Sequence, residues 1–176
     1  GEIYNYLELR CELEKLGQQF VSDSDTEVLL AAWMQWGPAC LERLVGMFAF
    51  AVYDQKEKTI TLVRDAFGIK PLFFSHNCDR FFFGSELSAL LSLIGQPLEA
   101  NQQRVYDYLI HSVQDTGFDT FVQGISHVPP AHFVRLDLTK PDVFETERWW
   151  NPNIAQTSRL SFADAADNLR ELFLES

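Results

Sequence analysis

The sequence predicts an α+β fold in which antiparallel sheets are flanked by helices, and two observations carry this prediction. Short apolar runs rich in aromatic and β-branched residues occupy the first half of the chain, and turn-forming residues bound each of them. These runs are residues 46–54, 59–63 and 81–86. Segments with apolar residues at helical spacing lie on both sides of them. Most of the predicted strands are too apolar to face water, so we expect the helices to cover the sheet.

The other elements are predicted from helix caps and apolar spacing. Asn5 is the expected N-cap of the first helix. Ser24 or Asp23 is the expected N-cap of the second, and Glu27 stands at capping-box distance from Ser24. Gly17 and Gly37 are expected to end these two helices. The predicted helices are 5–16, 24–36, 38–44, 86–93, one from 101, and 160–175. A short strand at 20–21, a strand within 125–138 and a last strand at 144–150 complete the order.

Composition and charge exclude several classes of protein. The chain has 176 residues, of which 47% are hydrophobic, enough for one domain with a real core. A formal net charge of -11 argues against a nucleic-acid partner or an anionic membrane surface. We find no apolar run near the roughly 20 residues that span a bilayer, and no signal peptide at the start. The four histidines do not cluster, so we expect no metal site.

The cysteines indicate a reducing compartment. Cys11, Cys40 and Cys78 are widely spaced, odd in number and form no Cys-x-x-Cys pair. We therefore expect reduced, mostly buried thiols in a cytoplasmic protein rather than a disulfide framework.

Residues 64–74 connect two of the predicted strands and contain an Arg-Asp pair beside a glycine turn. Gly68 gives the backbone freedom at the bend, and Pro71 limits pairing where the next strand starts. Arg64 and Asp65 have two interpretations. One is a clamp for a phosphate or carboxylate ligand, and the other, which we favour, is an ion pair that fixes the turn.

Four short blocks then occur in order over residues 1–90. They are Gly-Glu-Ile-Tyr-Asn at 1–5, Ser-Asp-Thr-Glu at 24–27, Arg-Asp-x-x-Gly-x-Lys-Pro-Leu-Phe at 64–73 and Ser-Glu-Leu-Ser-Ala-Leu at 85–90. Together they resemble the class II glutamine amidotransferase domain in its asparagine synthetase branch. Pro-Pro-Ala-His at 129–132 is similar to a family element with Gly at its third position. Because Ala131 stands there, we expect the backbone to avoid a strongly left-handed conformation.

The resemblance implies the αββα sandwich of N-terminal nucleophile hydrolases. Residues 1–150 would be a partial amidotransferase domain without its first strands, and 151–159 a polar linker. Residues 160–176 would be the first helix of a truncated synthetase domain. The chain begins at Gly1 with no initiator Met, which indicates a fragment. We expect the missing strands to leave an exposed sheet edge or apolar face, and therefore a homodimer.

The resemblance also implies two half-reactions. The amidotransferase half hydrolyses L-glutamine to glutamate and ammonia with an N-terminal Cys, whose α-amino group acts as base. The ammonia passes to an ATP-activated carboxylate, such as aspartate, in the synthetase domain. ATP and Mg²⁺ would belong to that second domain, and we expect no cofactor in these residues. The nucleophile is expected to be absent from this chain, so the fragment alone is expected to be inactive.

Part of the glutamine site is expected to remain. By resemblance, Gly1 belongs to the oxyanion hole, Glu2 faces the substrate, and Asp25 binds the α-ammonium group through charge-assisted hydrogen bonds. Simpler interpretations stay open. Glu2 is equally an exposed terminal acid. For Asp25 we favour the pocket role, although a first-turn acid that stabilises the helix dipole is a sufficient explanation of its position.

Two other functions remain as alternatives. One is an amidotransferase that acts on phosphoribosyl pyrophosphate or a sugar phosphate, and the blocks at 1–5 and 85–90 argue against it. The other is a non-catalytic binding domain of the same fold.

Overall fold

The computed structural model describes residues 1–77, 80–114, 117–140, 143–152, 154–155 and 159–175. Cys78, part of the predicted linker and Ser176 lie outside them. The helices in this part are α1 (Tyr6–Lys15), α2 (Asp25–Trp36), α3 (Leu87–Ile94), α4 (Gln102–His111) and α5 (Phe162–Glu175), with a 3₁₀ helix at Gly37–Arg43. The strands are β1 (Glu2–Ile3), β2 (Gly46–Met47), β3 (Ala49–Asp54), β4 (Thr59–Arg64), β5 (Phe73–Asn77), β6 (Arg80–Gly84), β7 (Ser126–His127), β8 (His132–Asp137) and β9 (Phe144–Arg148).

Antiparallel pairing joins these strands into two main sheets and a short ribbon. The four-stranded sheet has the order β3-β4-β8-β9, and the three-stranded sheet has the order β6-β5-β7. Strands β1 and β2 pair with each other, with Glu2 opposite Met47. The predicted α+β fold with antiparallel sheets is therefore confirmed.

The four-stranded sheet lies between helices on one face and the second sheet on the other. Because side chains alternate along a strand, neighbouring residues of β4 enter different cores. Val63 packs in the cluster that contains Leu13 of α1 and Val28 of α2. Leu62 packs in the cluster that contains Phe74 of β5. A third cluster places α3 against the outer face of the second sheet, which gives four layers in the order helix, sheet, sheet, helix.

The helix starts are partly as predicted. Ser24 caps α2 by accepting a hydrogen bond from the backbone N–H of Thr26 (3.2 Å). The capping box is wrong, because the carboxylate of Glu27 accepts from the backbone N–H groups of Val21 (2.9 Å) and Ser22 (2.8 Å). The strand predicted at 20–21 is also wrong, since residues 20–21 are irregular and the N–H of Val21 is bound to a side chain.

Asn5 precedes α1 as predicted but makes no side-chain cap bond. Its side-chain amide instead donates to the carbonyl of Arg43 (2.9 Å), and its carbonyl oxygen accepts from the N–H of Val45 (2.9 Å). Asn5 therefore holds the start of α1 to the segment that leads into β2.

The expectation for Ala131 is wrong, because its φ is +60°, in the left-handed region. The residue is buried and held on both sides. Its N–H donates to the carbonyl of Asp65 (2.9 Å), and its carbonyl accepts from the N–H of Trp149 (2.9 Å). A left-handed non-glycine residue costs about 1–2 kcal/mol. Tertiary hydrogen bonds offset that cost here, and the local sequence does not reveal them.

The expected exposed edge is present in the described part of the chain. β3 is the outermost strand of the four-stranded sheet. On this strand Ala51 is exposed and Tyr53 is 60% exposed. The edge carries neither Pro nor Lys within the strand, the usual protections against pairing with another chain. The homodimer inferred from such an edge stays a prediction.

Candidate functional site

The first residues of the chain meet the start of α2. The N–H of Ile3 donates to Oδ2 of Asp25 (3.1 Å), which ties β1 to the first residue of the helix. Gly1 lies against the segment that joins β2 to β3. A Cβ at Gly1 would lie 2.8 Å from the carbonyl oxygen of Met47 and 2.9 Å from Cα of Phe48. The two backbone segments approach so closely that no side chain fits at Gly1.

These residues form one pocket. It has a volume of about 120 Å³, below the roughly 300–1,000 Å³ of pockets for drug-sized ligands, so it suits a small polar group. Two carboxylates and an apolar wall line it. The lining residues are Gly1, Glu2, Ile3, Asp25, Thr26, Leu29, Phe48, Ala49 and Phe50. All three site residues predicted from the sequence are therefore brought together.

Asp25 is half-buried and has acceptor capacity beyond its contacts within the chain. Its Oδ2 accepts from the N–H of Ile3, and its Oδ1 accepts from the hydroxyl of Thr26 (3.3 Å). An ionised carboxylate offers about four acceptor positions. Asp25 also stands in the first turn of α2, so the helix-dipole interpretation and the ligand interpretation both fit its position.

A second carboxylate, Asp65, organises the turn after β4. It is fully buried. Its Oδ1 accepts from the backbone N–H groups of Phe67 (3.1 Å) and Ile69 (3.0 Å), and its Oδ2 accepts from the N–H of Lys70 (3.0 Å). Burying a charge is costly unless hydrogen bonds satisfy it, and these N–H groups do so. Asp65 therefore fixes the shape of the turn.

Arg64 stabilises the same turn by binding its backbone carbonyl groups. Its guanidinium donates to the carbonyls of Gly68 (2.8 Å), Lys70 (2.8 Å) and Val128 (2.9 Å). Gly68 has a φ of +66°, and a Cβ there would lie 2.7 Å from Cγ of Pro130. The turn-fixing interpretation of the Arg-Asp pair is thus supported, and the bonds that do the fixing go to main-chain groups. The ligand-clamp interpretation gains no support, because these groups serve the fold.

The turn and the pocket are directly connected. The N–H of Asp65 donates to the carbonyl of Phe48, a pocket residue (2.9 Å). The ring of Trp149 stacks on Phe48 with centroids 6.2 Å apart, and its Nε1–H donates to the carbonyl of Arg64 (3.1 Å). One wall of the pocket is therefore part of the structure that holds the turn.

Comparison with known proteins assigns the family. The family described as a glutamine amidotransferase domain matches residues 1–150. The chain belongs to this family. It is 35% identical, over its whole length, to asparagine synthetase [glutamine-hydrolyzing] 3 of Bacillus subtilis (strain 168), of which it covers 28%. It is 47% identical, over 77% of its length, to a putative asparagine synthetase [glutamine-hydrolyzing] of Mycobacterium tuberculosis (strain ATCC 25618 / H37Rv), of which it covers 21%.

Solved structures agree on the fold. The glutamine phosphoribosylpyrophosphate amidotransferase of B. subtilis aligns with a TM-score of 0.59 at 18% identity, covering 85% of this chain and 28% of that one. This likeness confirms the predicted N-terminal nucleophile hydrolase architecture of the amidotransferase domain. The chain spans less than a third of the curated relatives named above.

The described cysteines do not supply a nucleophile to this pocket. Cys40 is buried, and burial raises the pKa of its thiol to about 11. It is therefore protonated at neutral pH, whereas the thiolate is the reactive form. Cys11 is exposed on α1, and neither it nor Cys40 lines the pocket. Cys78 lies outside the described residues.

Sequence reasoning missed part of the pocket wall. Thr26, Leu29 and Phe48 all line the cavity. Thr26 lies inside the Ser-Asp-Thr-Glu block, so that block carried the signal. Phe48 lies in the apolar run at 46–54, where only a strand was predicted.

The described ranges contain no group of three or more His, Cys, Asp or Glu side chains placed to hold a metal ion. Nor do they contain a helix both long enough and apolar enough to cross a bilayer.

Proposed function

We propose that this domain binds L-glutamine in an enzyme of the glutamine-hydrolysing asparagine synthetase type. The observation that carries the proposal is the meeting of Gly1, Glu2 and Asp25 around one small pocket. Asp25 would accept hydrogen bonds from the α-ammonium group of glutamine, in a pocket suited to a group of that size. Glu2, exposed at the rim, would face the rest of the substrate.

Gly1 would contribute to the oxyanion hole. A backbone N–H stabilises a developing oxyanion only if it approaches closely, and Gly1 lines the pocket in which that oxyanion would form. In a longer protein the nitrogen of Gly1 would be a peptide N–H. The nucleophile would be an N-terminal Cys ahead of Gly1, so this chain alone would release no ammonia.

The ammonia acceptor would lie in a second domain. An ATP-activated carboxylate such as aspartate would receive the ammonia there, and ATP and Mg²⁺ would bind in that domain. Residues 151–159 would be the linker and 160–176 the first helix of that domain. The exposed apolar side chains of α5 support this assignment, since Phe162 is 92%, Leu169 68% and Leu172 65% exposed.

A cytoplasmic, homodimeric state completes the proposal. The free edge of β3 is the surface through which two copies would pair. Light scattering tests this point, and a monomer at high protein concentration would contradict it.

The proposal is tested by calorimetric titration of this chain with L-glutamine. Asp25→Asn keeps an oxygen for the N–H of Ile3 but removes the charge that binds an ammonium group. We expect it to weaken binding at least tenfold, about 1.4 kcal/mol. The matched control is Asp23→Asn, since the side chain of Asp23 is 98% exposed and pairs with Arg10. Equal affinities in the two variants would contradict the proposed role of Asp25.

The alternative is a non-catalytic glutamine-binding module. The absence of Cys11 and Cys40 from the described pocket wall favours it over catalysis by this chain alone. Ammonia release by the longer protein, abolished when its N-terminal Cys is replaced, would rule this alternative out.

A further inference from the structure

Arg135 lies on β8, and its buried Nε–H group has no hydrogen-bond partner among the residues that the structure describes. Its neighbours across the sheet are Thr61 of β4 and Glu145 of β9. Although Glu145 stands opposite, no carboxylate of the described chain forms an ion pair with the guanidinium. Buried N–H groups are almost always hydrogen-bonded, so Arg135 is a candidate for binding a ligand.

The guanidinium of Arg135 is held against an aromatic ring. Its central carbon lies 5.9 Å from the ring centroid of Phe133, two residues earlier on the same strand. A cation at this distance is attracted by the face of the ring. Side chains two residues apart share one face of a sheet, and Phe133 packs with Leu13 of α1 and Val28 of α2. Arg135 therefore lies on the face that these two helices cover.

Two cavities meet at Arg135. The first has a volume of about 160 Å³ and lies between the β3–β4 hairpin and Trp33 of α2, with Val52 as a second apolar residue of its wall. The other has a volume of about 280 Å³ and lies over β4, β8 and β9. Thr59 and Arg135 line both. Each is smaller than the roughly 300–1,000 Å³ of pockets for drug-sized molecules, which indicates a small ligand.

The charges around Arg135 decide which small ligand fits. A guanidinium binds a carboxylate through two parallel hydrogen bonds. The other charged residues that line the two cavities are mostly acidic, namely Asp54, Glu57, Asp137, Glu145 and the single base Lys140. These carboxylates repel a ligand that carries only negative charge. A molecule with both a carboxylate and an ammonium group satisfies the two kinds of charge at once.

Asp54 is placed to bind the ammonium group. Its Oδ1 accepts from the backbone N–H groups of Lys56 (2.9 Å) and Glu57 (3.0 Å), which fixes the carboxylate at the hairpin turn. An ionised carboxylate offers about four acceptor positions, so Asp54 keeps capacity for a ligand. Asp54 and Arg135 line the same small cavity, so one small molecule can contact both.

We propose that Arg135 and Asp54 bind a small α-amino acid at a second site of this domain. Arg135 binds its carboxylate, Asp54 binds its ammonium group, and Trp33 and Val52 contact its apolar side chain. The site is separate from the glutamine pocket, because none of the described residues lines both. On β3, Ala49 lines the glutamine pocket, and Asp54 is five residues further along, roughly 16 Å away. The proposal therefore does not depend on glutamine binding.

Titration of this chain with L-valine tests the proposal without any substitution. L-Valine has an apolar side chain that suits the wall of the smaller cavity. Its matched controls are L-valinamide, which lacks the carboxylate, and N-acetyl-L-valine, which lacks the ammonium group. The readout is the Nε–H resonance of Arg135 in a nitrogen–proton correlation spectrum. We expect L-valine to shift this resonance saturably, and both derivatives to bind at least tenfold more weakly.

A substitution at Arg135 tests the same site by calorimetry. We expect Arg135→Gln, which removes the guanidinium but keeps a polar side chain, to weaken L-valine binding at least tenfold. Binding of L-glutamine should stay within twofold of the parent. The matched control is Arg80→Gln, which should change neither affinity, since Arg80 is an exposed residue of β6. If Arg135→Gln fails to fold, the two L-valine derivatives still decide the outcome.

Four results would overturn the proposal. If L-valine leaves the Nε–H resonance in place, no carboxylate binds Arg135. If either derivative binds as tightly as L-valine, the site does not recognise a zwitterion. If Arg135→Gln binds L-valine as tightly as the parent, the ligand lies elsewhere. If Asp25→Asn weakens the binding of L-valine and L-glutamine alike, L-valine enters the glutamine pocket, and the second site is wrong while the glutamine proposal stands.

Discussion

Asp25 and Asp65 are carboxylates in two regions of the domain. They differ in burial and in the number of hydrogen bonds that they accept from the chain. Asp65 is fully buried, and backbone N–H groups of its own turn surround both of its oxygens. Asp25 is half-buried at a pocket and accepts one backbone N–H and one hydroxyl. The carboxylate that is fully buried and bound by three backbone N–H groups builds the structure, and the half-buried one at the pocket is available to a ligand.

The largest expected difference between these regions is in stability. Asp65→Ala would remove the buried carboxylate that accepts from the part-buried N–H groups of Phe67, Ile69 and Lys70, at about 1 kcal/mol for each hydrogen bond. We expect it to lower the free energy of unfolding by more than about 3 kcal/mol. Asp25→Ala should lower it by about 1 kcal/mol or less. Urea denaturation measures the free energy of unfolding of both variants. Similar decreases in the two variants would contradict the different roles assigned to Asp65 and Asp25.

A smaller effect is expected at Ala131, where the turn and β8 meet. Its left-handed backbone and complete burial leave no room for a branched side chain, so Ala131→Val should cost about 2 kcal/mol or more. Ala131→Gly should stay within about 1 kcal/mol of the parent, because relief of strain offsets the lost methyl group and the freer unfolded chain. If Val were tolerated as well as Gly, the φ of this residue would have to be different.

The smallest expected effect concerns Glu27, two residues after the pocket carboxylate Asp25. The hydroxyl of Ser22 and the N–H groups of Val21 and Ser22 lower the pKa of its carboxyl below the ordinary value. A lowered folded-state pKa contributes stability above the unfolded-state pKa, and this is lost as pH falls through the folded value. Glu27→Gln should therefore lower the unfolding midpoint slightly at about pH 7, and the difference from the parent should shrink as pH falls below the ordinary carboxyl range. A deficit of equal size at neutral and at acidic pH would exclude an electrostatic origin.

Sequence reasoning found the features that local patterns encode. Short apolar runs bounded by turn-forming residues predicted most of the strands, and four short blocks predicted the family. These two predictions succeed because a strand or a motif is encoded in neighbouring residues. The cap at Ser24 is of the same kind, since its partner is two residues away. The blocks also selected Gly1, Glu2 and Asp25, which line one pocket, and their roles toward a ligand stay a prediction.

Features that depend on distant residues were missed. The side chain of Asn5 binds the backbone of Arg43 and Val45 rather than the start of its own helix, and the residues next to Asn5 in the sequence do not predict these contacts. The left-handed Ala131 is held by Asp65 and Trp149, which are far from it in sequence. The exposure of Phe67 and Ile69 was equally hidden, because an apolar pair in a turn is usually expected to be buried.

The contrast between the two carboxylates is tested most directly by following backbone amide resonances while L-glutamine is added to this chain. The amide of Ile3 is bound to Asp25, and the amides of Phe67 and Ile69 are bound to Asp65. We predict that the Ile3 resonance shifts and saturates with glutamine while the Phe67 and Ile69 resonances stay in place. If the Ile3 resonance stays in place, or if those of the turn shift as much as it does, the assignment of Asp25 to the ligand and of Asp65 to the fold is contradicted.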